Sequence, residues 1–306
     1  MKLPKDHPKR FDLANEVHAR PPEPLTAPAS VVCIALATNW PYRDEDRGIV
    51  CELAARFKAL EPPKGAKHYS VDFGYFRLVW ERHTEMTRYT FIAPCDEADP
   101  FAQPAIERAP ADWVADLPGE LVVAGNAALI GDLWDGQDQA AMSQRFFGGN
   151  ALVGSMVTSG AGVALTDFRI HPDGYSRFLV QNRSMAPWHA GRIVQRVLEI
   201  ETYRIMALLA LPVAQGLSPR LSGWEKDLLD VTARMTEVSD ADEPAVLDSL
   251  TRLQAEIERG RTESQYRFSA GAAYYELVQR RIEELREERI RGMQTFGEFM
   301  QRRLAP

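Results

Sequence analysis

Cysteine is scarce in this chain: Cys33, Cys51 and Cys95 are the three it has, and they stand far apart. Neither a disulfide framework nor a zinc site of paired cysteines fits that spacing, and a reducing, cytosol-facing compartment does. Long apolar runs are also missing. The longest, Ile205 to Val213, is interrupted by Pro212 and reaches about half of the ~20 residues a helix needs to cross a bilayer. The amino-terminal stretch MKLPKDHPKRFDLANEVHARPPEP is charged and proline-rich, without the apolar core of a secretory signal. Positive charge is in deficit, 36 Lys and Arg against 43 Asp and Glu, for a formal charge of -7 and a pI near 5.5. That balance argues against nucleic acid as a partner of the whole surface and leaves room only for a local basic patch.

Familiar catalytic signatures are absent too. Gly148-Gly149-Asn150 and the glycines from Gly160 to Gly162 form neither a G-x-x-x-x-G-K nor a G-x-G-x-x-G phosphate loop, and turns account for them. Ser155, Ser159 and Ser176 stand in no G-x-S-x-G elbow, and no cysteine has a local catalytic context. What the chain does have is core material. With 306 residues, 45% hydrophobic and 26% charged, it can bury one sizeable core or two smaller ones.

The pattern of that material changes near Pro187. Before it, turn-rich segments alternate with strand formers: VVCIALAT from Val31 to Thr38, a strand pair within His68 to Ala93, Glu120 to Ile130, and then Ala151 to Thr158, Gly162 to His171 and Tyr175 to Gln181. The connectors Ser159-Gly160 and Pro172-Asp173-Gly174 predict an antiparallel meander for the last three. Asp44 to Leu60 has helical apolar spacing, a short helix surrounds Trp113, and residues 1 to 30 read as an extended arm. Pro187 suits the first turn of a helix. From there the sequence is helical, with segments at Ser218 to Met235 and Pro244 to Ile257 and the acidic linker VSDADEP between them. A final helix is expected from about Ala270 to Leu304, with Val278, Ile282, Leu285, Ile290, Met293, Phe296 and Met300 on one stripe near heptad spacing. The expected class is therefore α+β: a mixed, largely antiparallel sheet domain with flanking helices over residues 1–185, then a helical hairpin and stalk region over residues 186–306.

Three polar alternations interrupt the strand pattern: Glu16, His18 and Arg20; Glu81, His83 and Glu85; Asp167, Arg169 and His171. In extended chain each set would face one side of the backbone, where imidazoles and carboxylates can hold a divalent metal or move protons. His83, Glu85, Asp167 and His171 are the candidate ligands. The same alternation is also what a half-solvated antiparallel sheet shows, its charges paired across strands, and a turn at His83 to Met86 would break the second set. His18, beside Arg20 and Pro21, suits pinning the arm by a hydrogen bond. Glu201 and Arg204 can pair along their helix, and Tyr266, Tyr274 and Tyr275 suit packing.

Several long stretches, among them HPKRFDLANEVHARPPEPL, FRLVWERHTEMTRYTF, LTDFRIHPDGYSRFLV, GRIVQRVLEIETYRIMALLALPVA and YRFSAGAAYYELVQRRIEELREERIRGMQTFGEFMQRRLAP, resemble the bacterial domain-of-unknown-function family numbered 3422. Members are described as predicted membrane-anchored proteins and commonly continue past the position of Pro306 into hydrophobic segments. The resemblance thus implies membrane association through sequence outside this chain, at the inner face of the inner membrane. The layout is also similar to the cytosolic part of CorA-type channels, in architecture alone, since the glycine-methionine-asparagine signature is not found. The expected function is a non-enzymatic, membrane-associated assembly or scaffold module that forms a homo-oligomer by burying Val278, Ile282, Leu285 and Met293. The alternatives are a metal- or ligand-responsive regulatory domain of a CorA-like transport system and a metal-dependent hydrolase.

Overall fold

The computed structural model describes residues 4–16, 21–38, 45–131, 138–237 and 243–304. A helix α1 (Arg10–Glu16) is followed by β1 (Ala29–Ala37), α2 (Glu45–Arg56), β2 (His68–Asp72), β3 (Arg77–Arg82) and β4 (Met86–Pro94). A 3-10 turn at Ala105–Arg108 and the helix α3 (Ala111–Ala115) lead to β5 (Glu120–Ile130), α4 (Gln139–Phe146), β6 (Val153–Val157), β7 (Gly162–Ile170) and β8 (Ser176–Asn182). The remainder comprises α5 (Pro187–Leu208), α6 (Ala210–Glu237), α7 (Glu243–Leu285), the two-residue strand β9 (Glu288–Arg289) and α8 (Phe296–Leu304). Among the described residues nine strands join one sheet in the order β2-β3-β4-β1-β5-β8-β7-β6-β9. Every named pairing is antiparallel except β5 with β8. The class is α+β with a mixed, mostly antiparallel sheet, as the alternation of strand formers and turn residues predicts.

Alternation along the strands divides the β1-to-β4 half of the sheet into two faces. Val32, Ile34, Leu36, Leu78, Trp80, Tyr89 and Phe91 form one core with Val50 and Leu53 of α2, the 3-10 turn and Trp113 of α3. Val31, Val79, Glu81, Arg88, Thr90 and Ile92 point the other way, toward Val194, Gln195 and Leu198 of α5. Around the other half of the sheet, Ala128, Ile130, Val163, Leu165 and Leu179 pack with Phe146 of α4 and with Ile290 and Met293 from the chain's last segment.

Two expectations about local structure change. Residues 10–16 form a helix inside what reads as an extended arm, and the region 68–94 holds three strands rather than two, the extra hairpin closing at Phe73 to Phe76. A larger correction concerns the last helix, which does not run from Ala270 to Leu304. α7 begins at Glu243, stops at Leu285 and passes through Arg286 in the left-handed region (φ 50) before β9 extends the sheet edge beside β6. α8 then starts afresh. Its amides at Phe296 and Gly297 donate to the Glu287 carboxylate at 2.8 and 3.0 Å, and Thr295 and Glu298 exchange backbone-to-side-chain bonds in a capping box. The stripe expected to bind a second copy is covered within this chain: Val278, Ile282, Leu285, Ile290, Met293, Phe296 and Met300 are all buried.

By internal contacts the chain forms two compact units, residues 1–202 with 280–306, and residues 203–279. The expected boundary near residue 185 falls within the first of these, so the start of α5 belongs with the sheet. In the second unit α6 and α7 pack as an antiparallel hairpin. Trp224 lies against Gly260 with its indole N–H donating to Glu256 Oε2 at 3.3 Å, Arg220 pairs with Glu263 at 2.9 Å, and the rings of Tyr203 and Tyr274 stack at 6.0 Å. Pro212, without an N–H for the carbonyl of Leu208, accounts for the interruption between α5 and α6.

The arm returns to the sheet unit at Glu23, whose carboxylate takes the Arg77 guanidinium and the Ser70 hydroxyl, while Leu25 N–H donates to Pro187 O at 3.0 Å. Gly191 of α5 makes this close approach possible, because a Cβ there would collide with the Glu23 carbonyl oxygen. In an open helix Gly→Ala stabilises by about 1 kcal/mol. Here Gly191→Ala is expected to lower the melting temperature and to expose residues 21–25 to protease, as measured by thermal denaturation and limited proteolysis.

Candidate functional site

The most strongly constrained polar site lies where β3 and β4 face α5. Glu81 and Arg88 are directly opposed in the β3–β4 register, and their side chains meet at 2.5 Å with each almost wholly buried. Arg88 also approaches Glu199 of α5 at 3.7 Å. Glu199 accepts from Gln195 at 2.9 Å and pairs closely with Arg281 of α7. Arg281 reaches Glu284 at 3.1 Å, and Glu284 holds Arg196 through Nε at 3.1 Å and through its own backbone carbonyl at 2.9 Å. The six groups alternate in sign, three Glu and three Arg, from the sheet face outward to half-buried positions. Opposite neighbours on both sides of each inner charge offset the large cost of its dehydration.

Beside this ladder the space between sheet and α5 is a cavity of about 40 Å³, lined by Glu23, His68, Glu81, Arg88, Gln195 and neighbouring apolar side chains. That is room for a few waters and not for an organic substrate. The acids and bases here are occupied with one another. Such an arrangement fixes the position of α5 and the end of α7 on the sheet.

The residues expected to bind a metal fall in two places. His83 and Glu85, both half-buried, sit in the turn between β3 and β4, closed by His83 N–H donating to Met86 O at 2.8 Å. The alternation from Glu81 therefore ends at the turn: Glu81 points into the ladder, while Arg82 faces Asp46 of α2 at 2.9 Å. Asp167 and His171 lie on β7 and just after it, and β1, β5 and β8 separate β7 from β4. Four strand spacings, roughly 19 Å across the sheet, lie between the two strands. The structure does not bring them into one site.

Asp167 and His171 do meet. A bulge at Asp167 to Arg169, with Phe168 in the left-handed region (φ 52), turns Arg169 out to solvent and keeps Asp167 and His171 inside. His171 Nε2 lies 3.0 Å from Asp167 Oδ2, although the ring N–H is not aimed along that line, so the contact is an electrostatic approach and not a formed hydrogen bond. Asp167 also accepts from Asn150 Nδ2 at 2.8 Å and from the Arg169 amide at 3.1 Å. Among the described residues no three His, Cys, Asp or Glu side chains converge as a metal site would require. His18 and Arg20 lie outside the described residues, as does the side chain of Glu16.

The thiols are held in their protonated form. Burial pushes Cys33 and Cys51 upward despite Arg88 and Arg47 beside them, and burial next to Asp96 and Glu97 pushes Cys95 up to about 11. Depressed pKa values mark reactive cysteines, and these are shifted the other way.

The family model described as "Protein of unknown function (DUF3422)" matches residues 5–306. The chain belongs to the DUF3422 family. No curated protein and no solved structure matches this DUF3422 chain. No described helix is long and apolar enough to cross a membrane.

Two outcomes follow from the site. Glu199→Ala leaves Arg88 and Arg281 facing each other without their shared carboxylate and is expected to cost about 3–5 kcal/mol in denaturant unfolding. Cys95, raised to about 11, should be alkylated by iodoacetamide at neutral pH roughly a hundredfold more slowly than a free thiol, because less thiolate is present. Its labelling rate should climb steadily from pH 8 to pH 10.

Proposed function

We propose that this DUF3422 chain is a non-enzymatic assembly module that self-associates through the hairpin of α6 and α7. One observation carries the reading. Leu221, Leu228 and Met235 recur at seven-residue spacing along α6, each about half exposed at 46%, 49% and 55%. The parallel series Leu217, Trp224 and Val231 lies close beside them on the helix, and its Trp224 and Val231 are buried. The apolar stripe of α6 is thus wider than the strip the hairpin covers. A repeat of seven is the spacing a second helix of the same repeat can fill, so a second copy of the chain is the proposed occupant. The unit from 203 to 279 also carries nine of the sixteen exposed large apolar side chains among the described residues, in about a quarter of the chain. Two helices alone have no third layer to cover such a face.

In this reading the module works at the cytoplasmic face of the inner membrane, a setting supported by the resemblance to membrane-anchored relatives. The paired state of the buried acids and bases and the small size of the cavity beside them favour a structural role over catalysis. Light scattering across a concentration series is expected to show an oligomer for the parent chain and a monomer for the triple substitution Leu221→Glu, Leu228→Glu, Met235→Glu, with the sheet signal in circular dichroism retained. A monomeric parent chain would remove the reading.

A second reading, a divalent-cation-responsive regulatory domain, draws on the 3.0 Å approach of His171 Nε2 to Asp167 Oδ2, a separation that two ligands of one metal ion can share. It expects a saturable heat on titration with zinc or manganese that disappears in His171→Ala and persists in His83→Ala. Identical heats in parent and His171→Ala would dismiss it.

A further inference from the structure

We infer that the cleft formed by the start of α5, the end of α7 and the β6–β7 turn is a binding site for a phosphate-bearing ligand. The cleft measures about 430 Å³, within the ordinary range of small-ligand sites, and is lined by Thr158, His189, Arg192, Ile193, Arg196, Glu283, Glu284 and Arg286. His189, Arg192 and Arg196 occupy positions i, i+3 and i+7 of α5, so one helix face presents all three. From the opposite wall, Arg286 leaves α7 in the left-handed region (φ 50), which takes its guanidinium off the helical track, and Thr158 enters from the turn with φ 54. The two strained positions are tied together by Thr158 N–H donating to Leu285 O at 3.0 Å. Left-handed non-glycine residues are costly unless the surroundings hold them, and they gather at ligand sites.

Charge decides the ligand class. Glu284 is already shared by Arg196 and Arg281, at 3.1 Å from each. Arg192 and Arg286 are exposed, and among the described residues no carboxylate pairs with either. Glu283 at the rim is the one remaining acid, leaving the lining with a net positive charge from Arg192, Arg196 and Arg286. Burial, with Arg192 and Arg281 beside it, lowers the pKa of Arg196 even though Glu284 pairs with it. Guanidinium forks match the tetrahedral oxygens of a phosphate, and two forks on opposite walls of a cleft larger than a single phosphate, one of them beside a hydroxyl, suit an esterified phosphate. A soluble phosphate ester and a lipid headgroup share this chemistry.

The test uses the full chain in chloride buffer. Pyrophosphate is titrated by calorimetry, and flotation compares phosphatidylglycerol vesicles with phosphatidylcholine vesicles. Saturable pyrophosphate binding, weakened roughly tenfold or more in Arg192→Ala/Arg286→Ala at unchanged melting temperature and strengthened in Glu283→Gln, is the expected result for a soluble ester. Flotation with phosphatidylglycerol alone, lost in the same double variant, supports the headgroup form of the same site. No binding in either arm, or binding indifferent to the double variant, overturns the inference.

Discussion

The alternating ladder Glu81–Arg88–Glu199–Arg281–Glu284–Arg196 is the interaction on which the sheet unit depends. It joins two adjacent strands to the middle of α5 and the end of α7, elements separated by more than eighty residues in the chain. Apolar contact alone would let α5 slide along the sheet, since Val194 and Leu198 accept many nearly equivalent neighbours. A buried carboxylate flanked by two guanidiniums does not slide, because any shift leaves a charge in the interior without its partner. Once α7 is held at Arg281, its end at Leu285 is set, β9 meets the sheet edge, and Glu287 is in place to receive the first amides of α8. The proline-rich arm also reaches α5, where Gly191 lets its backbone approach.

Much of this architecture is legible in the residues. β5 spans Glu120 to Ile130 as read from its apolar run, and the turns Ser159-Gly160 and Pro172-Asp173-Gly174 separate β6, β7 and β8 in an antiparallel meander. The final helix is the exception, because its apolar stripe keeps helical spacing straight through a break. The signals of that break are local: Gly292, with φ 81, and the capping box Thr295-Phe296-Gly297-Glu298. Periodicity reports which residues are buried, and a return strand followed by a new helix can bury the same set.

The polar residues were less legible. Glu81, His83 and Glu85 alternate in sequence, but the chain turns at His83, so Glu81 belongs with Arg88 and not with its neighbours. Arg88, Glu199 and Arg281 carry no motif, and only the tertiary fold makes them a unit. Asp167 and His171 come together through a bulge that no turn residue announces, while the cleft of Arg192 and Arg286 needs α5 and the end of α7 to be adjacent. Local pattern foretold the elements, and long-range pairing decided which charges meet. Both the exposed α6 stripe and the basic cleft are features that this internal pairing leaves available for other molecules.

The central claim is that the ladder acts as one connected unit. A double-mutant cycle on Arg88 and Arg281, which share Glu199, tests it most directly, with Arg88→Met, Arg281→Met and the double variant unfolded in denaturant. The account predicts a coupling energy of about 1 kcal/mol or more. Additivity within about 0.3 kcal/mol would contradict it, because the two arginines would then be independent ion pairs that happen to share a carboxylate.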